Sequence, residues 1–112
     1  GACASTPLAY HCSMRCEWDQ EKSEANRRKH GLGLDDAARL FELPPHLILE
    51  EYDLDHSVAE DRIRSIGPIE RGVILVVSTE RDDGAVTRLI SARLATAQER
   101  RRYADMIAGV QP

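Results

Sequence analysis

At Leu47 the periodicity of the chain changes, and that change constrains the fold more than any other feature. Runs rich in β-branched and aliphatic residues cover 47–52, 61–69, 73–81 and 86–93, and short runs of this kind bounded by turn residues read as strands. The connections at 70–72 and 82–84 are short and contain glycine, which suits antiparallel hairpins. The expected sheet is a four-stranded antiparallel meander. In the third run Val73, Leu75 and Val77 alternate with Ile74 and Val76, so both faces are apolar at first and the strand belongs in the centre.

Helices are expected on either side of this stretch. Asp19 after Trp18 is placed to cap a first helix running to Lys29 or His30, where Gly31 and Gly33 stop it. Leu34 and Asp35 open a second helix carrying Ala37, Ala38, Leu40 and Phe41, which Pro44 and Pro45 forbid from continuing. Thr96 with Glu99 three residues on forms a capping box for a last helix, with Ala104, Ile107 and Ala108 on its apolar side. Two N-terminal helices, a meander and a C-terminal helix make an α+β fold.

A chain of 112 residues has room for one core. Its longest apolar run, 73–77, falls far short of the ~20 residues of a membrane helix, so no membrane partner and a cytoplasmic location are expected. All three cysteines, Cys3, Cys12 and Cys16, lie in the first sixteen residues. Together with His11 they lack the paired short spacings of a structural zinc site, and no metal or cofactor is expected. Residues 1–16 read as a disordered leader or a cloning extension, with Met14 available as a natural start, and 17–112 as the domain.

Charge is divided unevenly. The net charge of −4 argues against a generally adhesive nucleic-acid binder. Between Leu32 and Asp61, however, nine acidic residues face Arg39 alone, a balance of −8, whereas between Arg62 and Arg102 nine arginines face five acids, a balance of +4. Every base in that second stretch is arginine, whose planar fork matches phosphate and keeps its charge near neutrality.

Three sets of residues stand out. On the first helix Trp18, Lys22, Ala25 and Lys29 share one face, flanked by Asn26 and His30. In the packing interpretation Trp18 and Ala25 meet the sheet while Lys29 and His30 complement the helix dipole. On the second strand Glu60, Arg62 and Arg64 alternate onto one side. On the fourth, Arg88 and Arg93 have opposite parity, so they share a face only if a bulge intervenes.

These residues fall in a known pattern. EWD at Glu17, KHG at Lys29 to Gly31, a short acidic helix ending in Phe41, HxxxExR at His56, Glu60 and Arg62, ISAR at Ile90 to Arg93, and a closing ERRRY resemble the BrnT ribonuclease toxins over about 17–103. Pro44 and Pro45 stand where relatives commonly carry Asp and Pro, and His56 sits in an acidic loop. The resemblance implies a RelE-like fold and metal-free endoribonuclease action as the toxin of a bacterial type II toxin–antitoxin pair. It also implies a BrnA-type antitoxin with a DNA-binding ribbon-helix-helix end, joined in a heterotetramer that contacts DNA through the antitoxin. The site residues it carries over are Lys29, His30, Glu60, Arg62, Arg81, Arg88 and Arg93.

Cutting RNA without a metal needs a base for the 2′-hydroxyl, a proton for the leaving 5′-oxygen, and positive charge around the phosphorane. Arginines meet the third need, while Lys29, His30 or Glu60 are candidates for proton transfer. Two other readings stay open: a non-catalytic module gripping an acidic partner or nucleic acid with the same arginines, and a regulator subunit.

Overall fold

A computed structural model of the chain describes residues 15–53 and 61–110. The expectations for Glu60, for His56 and for the leader up to residue 14 lie outside the described residues. Five strands form one sheet: β1 (Arg15–Glu17), β2 (Leu49–Tyr52), β3 (Ile63–Ile69), β4 (Gly72–Arg81) and β5 (Val86–Leu94), in the order β1-β5-β4-β3-β2. The helices are α1 (Gln20–His30), α2 (Leu34–Ala37) and α3 (Ala97–Val110).

Strands β2 to β5 make the expected antiparallel meander. The sheet nevertheless has five strands rather than four, because β1 adds to the outer edge of β5 in parallel. This strand starts at Arg15, ahead of the expected domain start at residue 17. With only three residues and a partner near the other end of the chain, it leaves no local pattern to read.

The expectation of two N-terminal helices also needs correcting. α1 is a full helix, with the Asp19 carboxylate accepting from the N–H groups of Glu21 and Lys22, and Gly31 closing it at φ 78°. α2 is a single α-helical turn that tightens at once into a 3₁₀ stretch over Ala38–Glu42, with another at Pro45–Leu47. The wide turn of an α-helix cannot be carried into the Pro44–Pro45 pair, and 3₁₀ geometry is the usual way to end in so short a space.

One face of the sheet carries the main core. Ile74, Val76, Leu89 and Ala92 pack against Leu32, Leu34, Ala37 and Leu40, all at most 2% exposed. Each leucine removed from water there contributes about 2 kcal/mol. Gly67 lets this layer close, since a Cβ at that position would stand 2.6 Å from Leu40 Cδ1.

α1 joins the same layer in an unexpected way. Trp18 packs at the core margin, but Ala25 is exposed, and the residues that α1 buries are Ser23 and Asn26. The Ser23 hydroxyl accepts from Leu34 N–H at 2.8 Å. The Asn26 amide donates to the carbonyls of Leu32 and Ala92 at 2.7 and 2.8 Å, while its oxygen accepts from Ala92 N–H at 3.2 Å. Where β1 has ended, Asn26 thus gives β5 the edge pairing of a strand and leaves the buried backbone satisfied.

Candidate active site

The opposite face of the sheet holds the arginines, and a bulge decides which of them meet. The β4–β5 register pairs Val77 with Ser91 but Ser78 with Leu89, so Ile90 is an extra residue in β5. An extra residue reverses parity along the strand. Arg88, opposite Thr79, and Arg93, opposite Leu75, therefore point the same way. The sequence showed that Arg88 and Arg93 could share a face only across such a bulge, without locating it.

Following the register across the sheet gives a row. Glu17 lies beside Arg88, Arg88 opposite Thr79, and Arg62 comes next, one residue beyond the Ile63–Ser78 pair. Arg62 still follows the ladder, since its carbonyl accepts from Asp53 N–H at 2.9 Å. Arg81, two residues beyond Thr79, shares the face. Arg88 Nη1 donates to Glu17 Oε2 at 3.1 Å, and Arg81 Nε stands 3.9 Å from the same oxygen. At the floor Thr79 is 2% exposed, and its hydroxyl has no hydrogen-bond partner among the described residues.

A second cluster stands further along the face. Arg93 Nη1 and Nη2 donate to Glu99 Oε1 and Oε2 at 2.8 and 2.9 Å, and Arg64 Nη2 donates to Oε2 at 2.7 Å. Glu99 also closes the expected capping box, accepting from Thr96 N–H at 2.8 Å while its own N–H donates to Thr96 Oγ1 at 3.2 Å. The carboxyl of Glu99 is held down at about 2, chiefly by the hydrogen bonds from Arg93, against the opposing effect of burial. A carboxylate this well satisfied fixes α3 to the sheet and is a poor proton acceptor.

Over residues 18–99 the sequence matches the family described as the ribonuclease toxin, BrnT, of type II toxin–antitoxin systems. The chain belongs to this family. RNA as substrate and an antitoxin as partner follow from that membership. No curated protein matches the chain. No helix among the described residues is long and apolar enough to cross a membrane.

For a BrnT-family toxin the distribution of the expected site residues is telling. Arg62, Arg81, Arg88 and Arg93 gather on one face. Lys29 and His30 do not join them. They end α1 on the other side of the sheet, next to Gly31, whose carbonyl accepts from Arg71 at 2.7 Å in the β3–β4 turn. Arg81 closes the far end of β4, whose ten residues span about 30 Å. The expected site residues did not include Glu17, Arg64, Thr79 or Glu99. Arg64 was signalled by its alternation with Arg62, and Glu99 only as a helix cap. Glu17 stood out only as the start of the EWD motif, and its pairing left no local signal, because its neighbour Arg88 is 71 residues away.

Proposed function

We propose that this face binds the RNA backbone and cuts it internally without a metal ion. Arg81 and Arg88, with Arg62 across Thr79, take the phosphate, and RNA supplies its own 2′-hydroxyl as nucleophile. The new bond joins that oxygen to phosphorus, the bond to the 5′-oxygen breaks, and the arginines balance the negative charge that grows in between. The observation that carries this reading is the bulge at Ile90, which turns arginines of opposite sequence parity onto one surface. In this reading Arg93 with Arg64 shapes the surface through Glu99, and Lys29 and His30 lie away from the reacting phosphate.

The antitoxin in this proposal is of the BrnA type, with a ribbon-helix-helix end through which the complex, a heterotetramer, reaches DNA. The toxin acts in the cytoplasm. Support comes from the motif pattern between Glu17 and Tyr103 and from the uneven charge, since an arginine face invites an acidic cover.

The test is cleavage of RNA by purified protein in the presence of a chelator. Wild type is expected to cut and leave 2′,3′-cyclic phosphate ends, and Arg81→Ala with Arg88→Ala to lose activity by about 10²–10³-fold. Loss of wild-type cleavage on chelation would overturn the metal-free step. RNA binding with no cleavage under any condition would instead favour a non-catalytic module.

A further inference from the structure

We infer that Glu17, on the short parallel strand β1, is the general base of the RNA cleavage proposed above. The inference rests on that reading of the arginine face and adds to it the group that takes the 2′-hydroxyl proton. Four described carboxylates stand on this face by the register; Asp53 lies opposite Arg62, and among the described residues Glu17 is the one that pairs with both Arg81 and Arg88. Glu99 is 4% exposed, and its two oxygens accept from Arg64, Arg93 and Thr96. Glu51, opposite Arg64, accepts from Arg102 Nε and Nη2 at 2.9 and 3.1 Å, one oxygen to each. Both are fully engaged in holding α3.

Glu17 differs on each count. Its side chain is 39% exposed, Oε2 takes the hydrogen bond from Arg88, and Oε1 accepts none among the described residues. An open carboxylate oxygen therefore lies beside the two guanidinium groups proposed to grip the phosphate. A phosphate that accepts from Arg88 takes over the donor that Glu17 Oε2 now holds, with Arg81 3.9 Å from the same oxygen, leaving the carboxylate next to the nucleotide it must deprotonate. A base has to come within about 2.6–3.2 Å of its proton, and the ribose carrying the 2′-hydroxyl is the sugar attached to the clamped phosphate.

The proton balance is simple. Glu17 takes the 2′-hydroxyl proton as the oxygen attacks phosphorus, the departing 5′-oxygen takes a proton from water, and Glu17 returns its own to solvent. The charged and polar groups around it are Arg15 on its own strand, Arg88 on β5, and Arg81 and Thr79 on β4. Glu17→Gln keeps the size and the oxygen that faces Arg88 while removing the base.

Single-turnover cleavage of a short RNA by wild type, Glu17→Gln and Glu17→Asp tests this, alongside affinity for the same oligonucleotide carrying a 2′-deoxy sugar at the cut. The expected result is a cleavage rate lowered about 10²–10³-fold in Glu17→Gln, partial recovery in Glu17→Asp, and an affinity that does not fall in Glu17→Gln. Cleavage by Glu17→Gln within a few-fold of wild type overturns the inference and leaves the arginine site standing. A rate loss matched by an equal affinity loss makes Glu17 a positioning residue and overturns it as well. Wild type that cuts no RNA overturns the underlying reading itself.

Discussion

Arg93 and Glu99 form a two-point ion pair that ties the end of β5 to the first turn of α3, with both oxygens of the carboxylate occupied. Losing the buried carboxylate removes its hydrogen bonds from charged donors, while water reaches Arg93 and Arg64, whose side chains are 36% and 29% exposed. Glu99→Gln is therefore expected to destabilise the protein by about 1.5–3 kcal/mol near neutral pH, measured by denaturant unfolding.

The same carboxylate sets a pH dependence. Glu99 is held at about 2, against an ordinary 4.5, so the unfolded chain binds its proton more readily. The stabilisation is full above the ordinary value and disappears as pH falls towards 2. Unfolding curves across that window should show the gap between wild type and Glu99→Gln closing on acidification. A gap that stays constant would mean that the pair is not ionised as described.

Asn26→Ala removes three buried hydrogen bonds and strands the backbone of Ala92 and Leu32. The expected loss is about 3 kcal/mol, with faster amide exchange at Ala92 as the local readout. Asn26→Asp should fare little better, since a carboxylate cannot donate to the two carbonyls.

Thr79→Val replaces a buried hydroxyl that has no partner among the described residues by a methyl group of similar size. Removing an unsatisfied polar atom at constant shape is neutral or favourable, so stability should hold or rise by up to about 1 kcal/mol. A clear fall in melting temperature would show that the hydroxyl is satisfied after all.

Gly67→Ala puts a methyl group against Leu40 Cδ1, beneath the 3₁₀ stretch. Overpacking of this kind costs about 1–3 kcal/mol, and Leu40→Val in the same chain should recover part of it.

Features written in adjacent residues were legible in the sequence: the Asp19 cap, the Gly31 stop, the Thr96–Glu99 box and both glycine-containing hairpin turns. Features that depend on distant partners were not. α1 was expected to dock through Trp18 and Ala25, yet Asn26 docks it, because edge backbone needed a donor and an acceptor that only the fold reveals. The arginines followed the same rule. Their identity and the parity conflict between Arg88 and Arg93 were plain, but the bulge at Ile90 and the arrival of Glu17 from β1 belong to pairings across the chain.

That parallel pairing also fixes an order of events during synthesis. β1 leaves the ribosome ahead of the other four strands, yet its partner in the sheet, Val86 to Arg88, is translated some seventy residues later. Contacts so far apart in sequence form late, after the local hairpins that precede them. The carboxylate of Glu17 and the guanidinium of Arg88 thus meet only once β5 has emerged, and until then the arginines stand without their completed row.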